Sequence, residues 1–483
     1  MKFRFLSAAA ILLVLGAAPA HAWREGDHDP AFDAGSTFKV PFAPYVSGSL
    51  RPTAIGLSHS ALDGTYLAAV SYQDAPSSTF SAVLYRVLPD GQADTTFNST
   101  GVKRVIDSSV AIQAMATDAS NDDIVLAGGN QSQSSSEIVV CRYAANGVPD
   151  NNLVGHNGVG CIDYPVSTFG AQANVLNVHA VAVQAWDHRI VIAGDVQIVN
   201  GSTSRVEMFV LRLFEPGSID TGFASPAGYR LIDLASAGGT SSSARALAFD
   251  ATHRILIAGV TSNATSDFAA ARISPNGSID TSCGGGASPC TIGIDFQGLG
   301  TRTDQATSIT TDAAGHIYVA GLVENGASAA NPHLYATGLA RLTPNFALDA
   351  NFGGDGLVFG FVENNADNDE SDTPPSVAID DHARPFVACG NEAHVVARRF
   401  TTFGVPDATY GNGSNPYTGN VSVTAAPNGG TGEFPYGPAR VLFDHDKPVV
   451  AAVTGIAGNP SGVELSIARL LGDDTIFGSD FDP

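Results

Sequence analysis

Short runs of Val, Ile, Leu, Ala and Phe recur along the chain, each bounded by Gly, Pro, Asn, Asp or Ser, the pattern of β-strands separated by turns. The clearest copies are Ile124-Val125-Leu126-Ala127-Gly128, Ile190-Val191-Ile192-Ala193-Gly194, Ile255-Leu256-Ile257-Ala258-Gly259 and Ile317-Tyr318-Val319-Ala320-Gly321. Phe386-Val387-Ala388-Cys389 and Val449-Val450-Ala451-Ala452 are weaker ones. Runs this apolar demand burial on both faces. Each unit lays out as four strands, A to D, predicted in the fourth unit over 244–249, 254–260, 268–273 and 291–296.

Strand C ends in an arginine, and a Pro/Gly/Asn turn leads from it to an aspartate. The arginines are Arg86, Arg142, Arg212, Arg272, Arg341, Arg398 and Arg469. Asp94, Asp150, Asp220, Asp280 and Asp349 follow the first five by eight residues, and Asp407 follows Arg398 by nine. After Arg469 the spacing fails, but Asp29 near the start of the chain has the same context. A period of 56 to 71 residues is the signature of a repeat architecture and too long for a β-solenoid coil. A four-stranded sheet cannot bury two faces alone, whereas a ring of such sheets can, so the pattern predicts an all-β, seven-bladed β-propeller of antiparallel blades.

The last unit lacks a fourth strand, and the stretch from Asp29 to Val40 resembles the turn and strand that follow each repeat arginine. The N-terminal segment is therefore expected to complete the last blade and leave no open sheet edge. The expected organisation is a signal peptide (1–22), a closing strand (23–42) and blades near 43–106, 107–165, 166–234, 235–296, 297–362, 363–425 and 426–472, with a tail at 473–483.

The wording of the units resembles the delta-sixty repeat of bacterial exported proteins. The segments that carry the likeness run from Ala271-Arg272-Ile273 to Asp280, and from Ala340-Arg341-Leu342 to Leu348-Asp349-Ala350-Asn351-Phe352-Gly353. The similarity extends over nearly all of the chain after the signal. It implies the propeller and export, and no chemistry.

Lys2 and Arg4, an apolar run from Leu6 to Leu15, and Ala20-His21-Ala22 read as a cleavable secretory signal. Its removal leaves 22 Lys+Arg against 47 Asp+Glu, a balance of −25, which disfavours nucleic acid and anionic membranes. A soluble, exported monomer without a membrane span is expected. With five cysteines in such a chain, Cys283–Cys290 is expected to close a Gly-rich loop and Cys141–Cys161 to bridge adjacent strands, leaving Cys389 as a buried thiol.

A feature present in every blade belongs to the scaffold, so the Arg/Asp pairs read as structural. His188, His253, His316, His382 and His445 recur in the A–B turns and read as solvated turn residues, too far apart to share an ion. Recognition is expected on the variable B–C/D–A face around the central channel. Two loops stand out there. Glu363, Asp367, Asp369, Glu370 and Asp372 supply either hard ligands, with Asp367, Asp369 and Asp372 as a calcium set, or a solvated acidic turn. Phe434 and Tyr436 either stack on a sugar or peptide or pack between blades. The reading favoured is a non-catalytic exported propeller that binds a protein, glycan or surface partner without a cofactor. The alternatives are a polymer-acting hydrolase or lyase and a calcium-dependent adhesion protein.

Overall fold

The computed structural model describes residues 25–41, 50–74, 80–106, 110–130, 136–153, 160–234, 241–262, 266–284, 288–296, 303–326, 334–360, 373–390, 395–411, 420–422, 433–456 and 459–472. They form seven four-stranded antiparallel sheets, the blades of a β-propeller. In the fourth blade the strands are Ser241–Phe249, Ile255–Ser262, Ser266–Ile273 and Thr291–Ile294, hydrogen-bonded in that order. The other complete blades run A-B-C-D in the same way, within 50–106, 110–165, 173–232, 304–359 and 376–422.

The seventh blade takes Glu433–Asp444, Lys447–Ile456 and Asn459–Arg469 from the end of the chain and Phe38–Pro41 from its start. Phe38 pairs with Ile467 and Pro41 with Glu464, so the circle closes by strand pairing between the two ends. Among the described residues no helix is long and apolar enough to cross a membrane.

The core lies in the layers between blades. Ile190 and Ile192 in strand B of blade 3 pack with Val125 and Ala127 of blade 2, whereas Val191 and Ala193, which alternate with them, pack with Ile255 and Ile257 of blade 4. Alternate residues of one strand thus serve two layers, which is why strand B is apolar throughout. Complete burial of each such side chain contributes about 1.5–3 kcal/mol.

Strands A touch one another around the ring and wall the central channel. In blades 2 to 5 strand A carries a bulge at one level: the register jumps between Ile112 and Ala114, Val178 and Ala180, Ala244 and Ala246, and Ala306 and Ser308. The strand-B glycine faces that jump. A Cβ on Gly259 would lie 1.9 Å from the Ser243 carbonyl oxygen, and Gly128, Gly194 and Gly321 meet strand-A carbonyls at 1.9–2.1 Å. Glycine is required there by close approach of two backbones. In blade 6 strand A starts at Ser376 opposite Ala388, with no bulge among the described residues, and Cys389 stands in the glycine slot.

Candidate functional site

Seven arginines fasten the ring. Their ion pairs are Arg86–Asp94 (3.2 Å), Arg142–Asp150 (3.5 Å), Arg212–Asp220 (2.8 Å), Arg272–Asp280 (2.8 Å), Arg341–Asp349 (2.9 Å), Arg399–Asp407 (2.8 Å) and Arg469–Asp29 (2.8 Å). The sequence reading placed Arg398 in the sixth pair, and the structure assigns that position to Arg399. Phe386, the second residue of strand B, opposes Arg399, as Leu256 opposes Arg272. The spacing to the aspartate is then eight residues in all six sequential pairs. An apolar residue follows the arginine in every blade, Phe400 after Arg399 as Ile273 after Arg272, and that was the signal missed.

Each aspartate divides its oxygens between two tasks. One receives the arginine, and the other accepts the backbone N–H two residues on, at 2.8–3.0 Å in all seven turns. The arginines also reach the following blade. Arg86, Arg142, Arg212, Arg272 and Arg341 donate to the carbonyls of Ala145, Glu215, Pro275, Pro344 and Thr402, Arg399 to the Glu25 carboxylate and Arg469 to the Tyr66 hydroxyl. Burial opposes ionisation of Asp280, but the Ser282 N–H and hydroxyl and the Arg272 charge outweigh it and hold the carboxyl below the ordinary value.

Two disulfides are present, Cys141–Cys161 directly across strands C and D of blade 2, and Cys283–Cys290 beneath the C–D turn of blade 4; Cys389 is a buried thiol outside both. The turn histidines do not converge. His188 lies 2.8 Å from Asp118 of the preceding blade, His316 and His445 each lie 2.9 Å from an aspartate of their own turn, and His253 stacks on Trp186 at 3.9 Å. His382 is exposed. Asp367, Asp369, Glu370 and Asp372 lie outside the described residues, as do the side chains of Phe434 and Tyr436, whose backbone belongs to the strand Glu433–Asp444.

The channel holds a cavity of about 220 Å³ lined from all seven blades. One strand-A position, opposite the strand-B alanine in every blade, forms a ring around it. Six members are small, Gly56, Ala114, Ala180, Ala246, Ser308 and Ser376, and the seventh is Arg440. The extra residues of the four bulges, Gln113, His179, Arg245 and Thr307, line the same cavity, as a bulge re-aims its side chain out of the pleat.

Some of these groups are committed. Thr307 donates to the Pro375 carbonyl of the next blade at 2.7 Å. His179 Nε2 lies 2.7 Å from Asp195, which also receives the Ser243 hydroxyl at 2.6 Å and the Asn177 amide at 2.9 Å. Burial works against ionisation of Asp195, yet these partners hold its carboxyl below the ordinary range. Arg440 donates to the neighbouring Ala439 carbonyl at 3.0 Å and, like Arg245, forms no ion pair among the described residues. Arg440 is half-buried at the channel wall with seven blades around it, and this desolvation pushes the guanidinium down to about 10. Sequence reasoning passed over this ring. Alignment of the seven strand-A copies would have shown Arg440 standing where the others hold glycine, alanine or serine.

A second cluster lies on the edge from which the B–C and D–A connections emerge. Oxygens of Asp267, Asp295 and Asp304 lie within 4.8 Å of one another. Burial raises Asp304 to about 6, with Asp267 and Asp295 adding to the rise against backbone N–H groups from Glu324 and Phe296; Asp267 is raised by burial and by Asp295. An all-oxygen set of this kind could hold a hard divalent cation.

The family model described as a domain of unknown function (DUF5122) beta-propeller matches residues 254–282, the strand B to C–D turn segment of blade 4. No curated protein matches the chain. Among solved structures the chain is similar to a PL25 polysaccharide lyase, an ulvan lyase, at 10% identity over 88% of this chain and 96% of that one, with a TM-score of 0.42. It is similar to a mutant NanB sialidase from Streptococcus pneumoniae at 9% identity over 98% and 74%, with a TM-score of 0.38. A prolyl endopeptidase matches at 10% identity and a TM-score of 0.37 over 85% of this chain, which spans only 46% of that enzyme. At these identities and TM-scores the three carry no argument about chemistry.

Proposed function

We propose that the chain is an exported, non-catalytic binding propeller of the delta-sixty type, whose ligand is received in the central channel and by the loops around its B–C/D–A mouth. The observation that carries this reading is the channel cavity, into which separate blades direct donors that have spare hydrogen-bonding capacity. The opposite face supports it by contrast. There the A–B and C–D turns are occupied with Asx turns and arginine clamps that recur from blade to blade. Export is supported by the signal-like start of the sequence and the two disulfides.

The test is a binding screen of glycans, peptides and small acids against the folded protein and against variants that narrow the channel, Ala246→Met and Ala180→Met. Ligand-dependent stabilisation that these substitutions remove is the expected result. Stabilisation untouched by both would place recognition elsewhere. One observation favours a catalytic reading as the alternative: His179, held by Asp195, lines the cavity as a candidate base in a hydrolase or lyase. Turnover of any polymer by the wild type, lost in His179→Ala, would establish it.

A further inference from the structure

Resting on the channel reading above, we infer that the group entering the channel is a carboxylate, held by Arg440 with Arg245 reaching it from across the ring. The sevenfold pattern is the first argument. Where one ring position is small in six blades and arginine in the seventh, the arginine is not part of the scaffold, and no packing requirement of the repeat accounts for it.

Hydrogen-bond capacity is the second. A guanidinium carries five N–H donors. Arg440 uses its Nη1 on the Ala439 carbonyl, and the remaining donors meet no acceptor among the described residues. Arg245 is exposed to the channel and makes no hydrogen bond or ion pair among the described residues. Each of the seven blade arginines, in contrast, has its carboxylate. His179 is already bound to Asp195, so among the described residues the two arginines are the open charged donors of the cavity, beside the neutral Gln113 amide and serine hydroxyls. Enclosure of Arg440 without a counter-charge disfavours its ionised form, and an anion in the cavity would restore it.

Charge and size select the anion. A planar pair of oxygens matches the guanidinium fork. The chain as a whole carries −23, a field that penalises a multiply charged ligand more than a single negative head entering a positive spot. A cavity of about 220 Å³ falls below the roughly 300–1,000 Å³ of sites for drug-sized ligands. It suits an acid group with a few carbons, either a free small acid or one acidic unit of a longer chain.

The experiment compares D-glucuronate with D-glucose, which differ at one carboxylate, and adds acetate, inorganic phosphate and chloride at constant ionic strength. Melting curves and titration calorimetry are read on wild type, Arg440→Gln, Arg245→Gln and Ala246→Met. Glucuronate and acetate should raise Tm saturably while glucose does not. Arg440→Gln should weaken glucuronate about tenfold or more, as loss of a charge-assisted contact does, and should melt no lower than wild type without ligand. Tighter binding of an oligouronate than of the monomer identifies a polymer source, and equal binding a free acid; both support the assignment. Equal responses to glucuronate and glucose, to acetate and chloride, or to acetate and phosphate overturn it, as does wild-type affinity in Arg440→Gln. If glucose binds and Ala246→Met abolishes that binding, the carboxylate fails while the channel reading stands. If Ala246→Met folds and leaves every response unchanged, the channel reading itself fails.

Discussion

A carboxylate in a C–D turn has two oxygens, and all seven turn aspartates divide them between an arginine side chain and a backbone N–H. Removing the arginine strips a nearly buried charge of its main partner, leaving the turn and, at Asp29, Asp220 and Asp280, one further cation (Lys447, Arg189 and Arg254). Arg272→Ala should therefore cost about 3 kcal/mol, read as a lower denaturation midpoint, with Asp280 left only its longer contact to Arg254 at 3.3 Å. Arg399→Ala should cost a similar amount, because Arg399 and not Arg398 pairs with Asp407. The same residues set an acid limit. Burial opposes ionisation of Asp29, Asp280, Asp349 and Asp407, but hydrogen bonds and neighbouring cations hold each folded carboxyl below the ordinary 3.8. The unfolded chain then takes up protons first as pH falls. The stabilisation from these four carboxyls is complete above about pH 4 and is lost progressively below it, so Tm should drop below that point, from a baseline that the raised Asp304 tilts upward as pH falls from neutral; Asp280→Asn should lessen the drop. The pairing of residue types was legible because it repeats. The choice between two adjacent arginines at 398 and 399 was not, since either satisfies the composition and only strand register separates them.

At the scale of the strand, small residues mean different things in different blades. Gly259 opposes a bulge whose carbonyl lies where a side chain would begin, so Gly259→Val should displace strand A of blade 4 and cost about 3 kcal/mol or more by overpacking. Cys389, in the corresponding slot of blade 6, opposes no bulge among the described residues, and Cys389→Ala should cost about 1 kcal/mol. Denaturant titration of the two variants distinguishes the sites. The disulfides differ by loop length: opening Cys141–Cys161, with a separation of 20, should cost about 3 kcal/mol, and opening Cys283–Cys290, with a separation of 7, slightly less. The alternation of apolar strands and turn residues made the strands readable. The bulges left no such mark, because one extra residue in a strand is invisible until its partner strand is in place.

For the whole molecule, closure depends on contacts between the two ends of the chain. Phe38–Pro41 supplies the outer strand of the last blade, and Asp29 receives Arg469 across 440 residues of sequence. A chain starting at residue 42 should expose the edge of Asn459–Arg469, aggregate, and lose a single cooperative melt. A cooperative product of wild-type stability would contradict closure. Asp29→Asn, which keeps the strand and weakens only the ion pair, should fold with a lowered Tm.

Repeat number, blade composition, both disulfides and the shared last blade were determined by the sequence itself, because each is written in local pattern and copied from unit to unit. Tertiary structure alone decided which side chains meet in the channel. Gln113, His179, Arg245 and Arg440 come from four blades, and their convergence depends on where each strand A bulges and on how seven sheets are arrayed about one axis. Spacing along the chain carries no record of that rotation: alignment of the repeats marks Arg440 as the odd residue at its position, but only the closed ring shows that the position faces the channel.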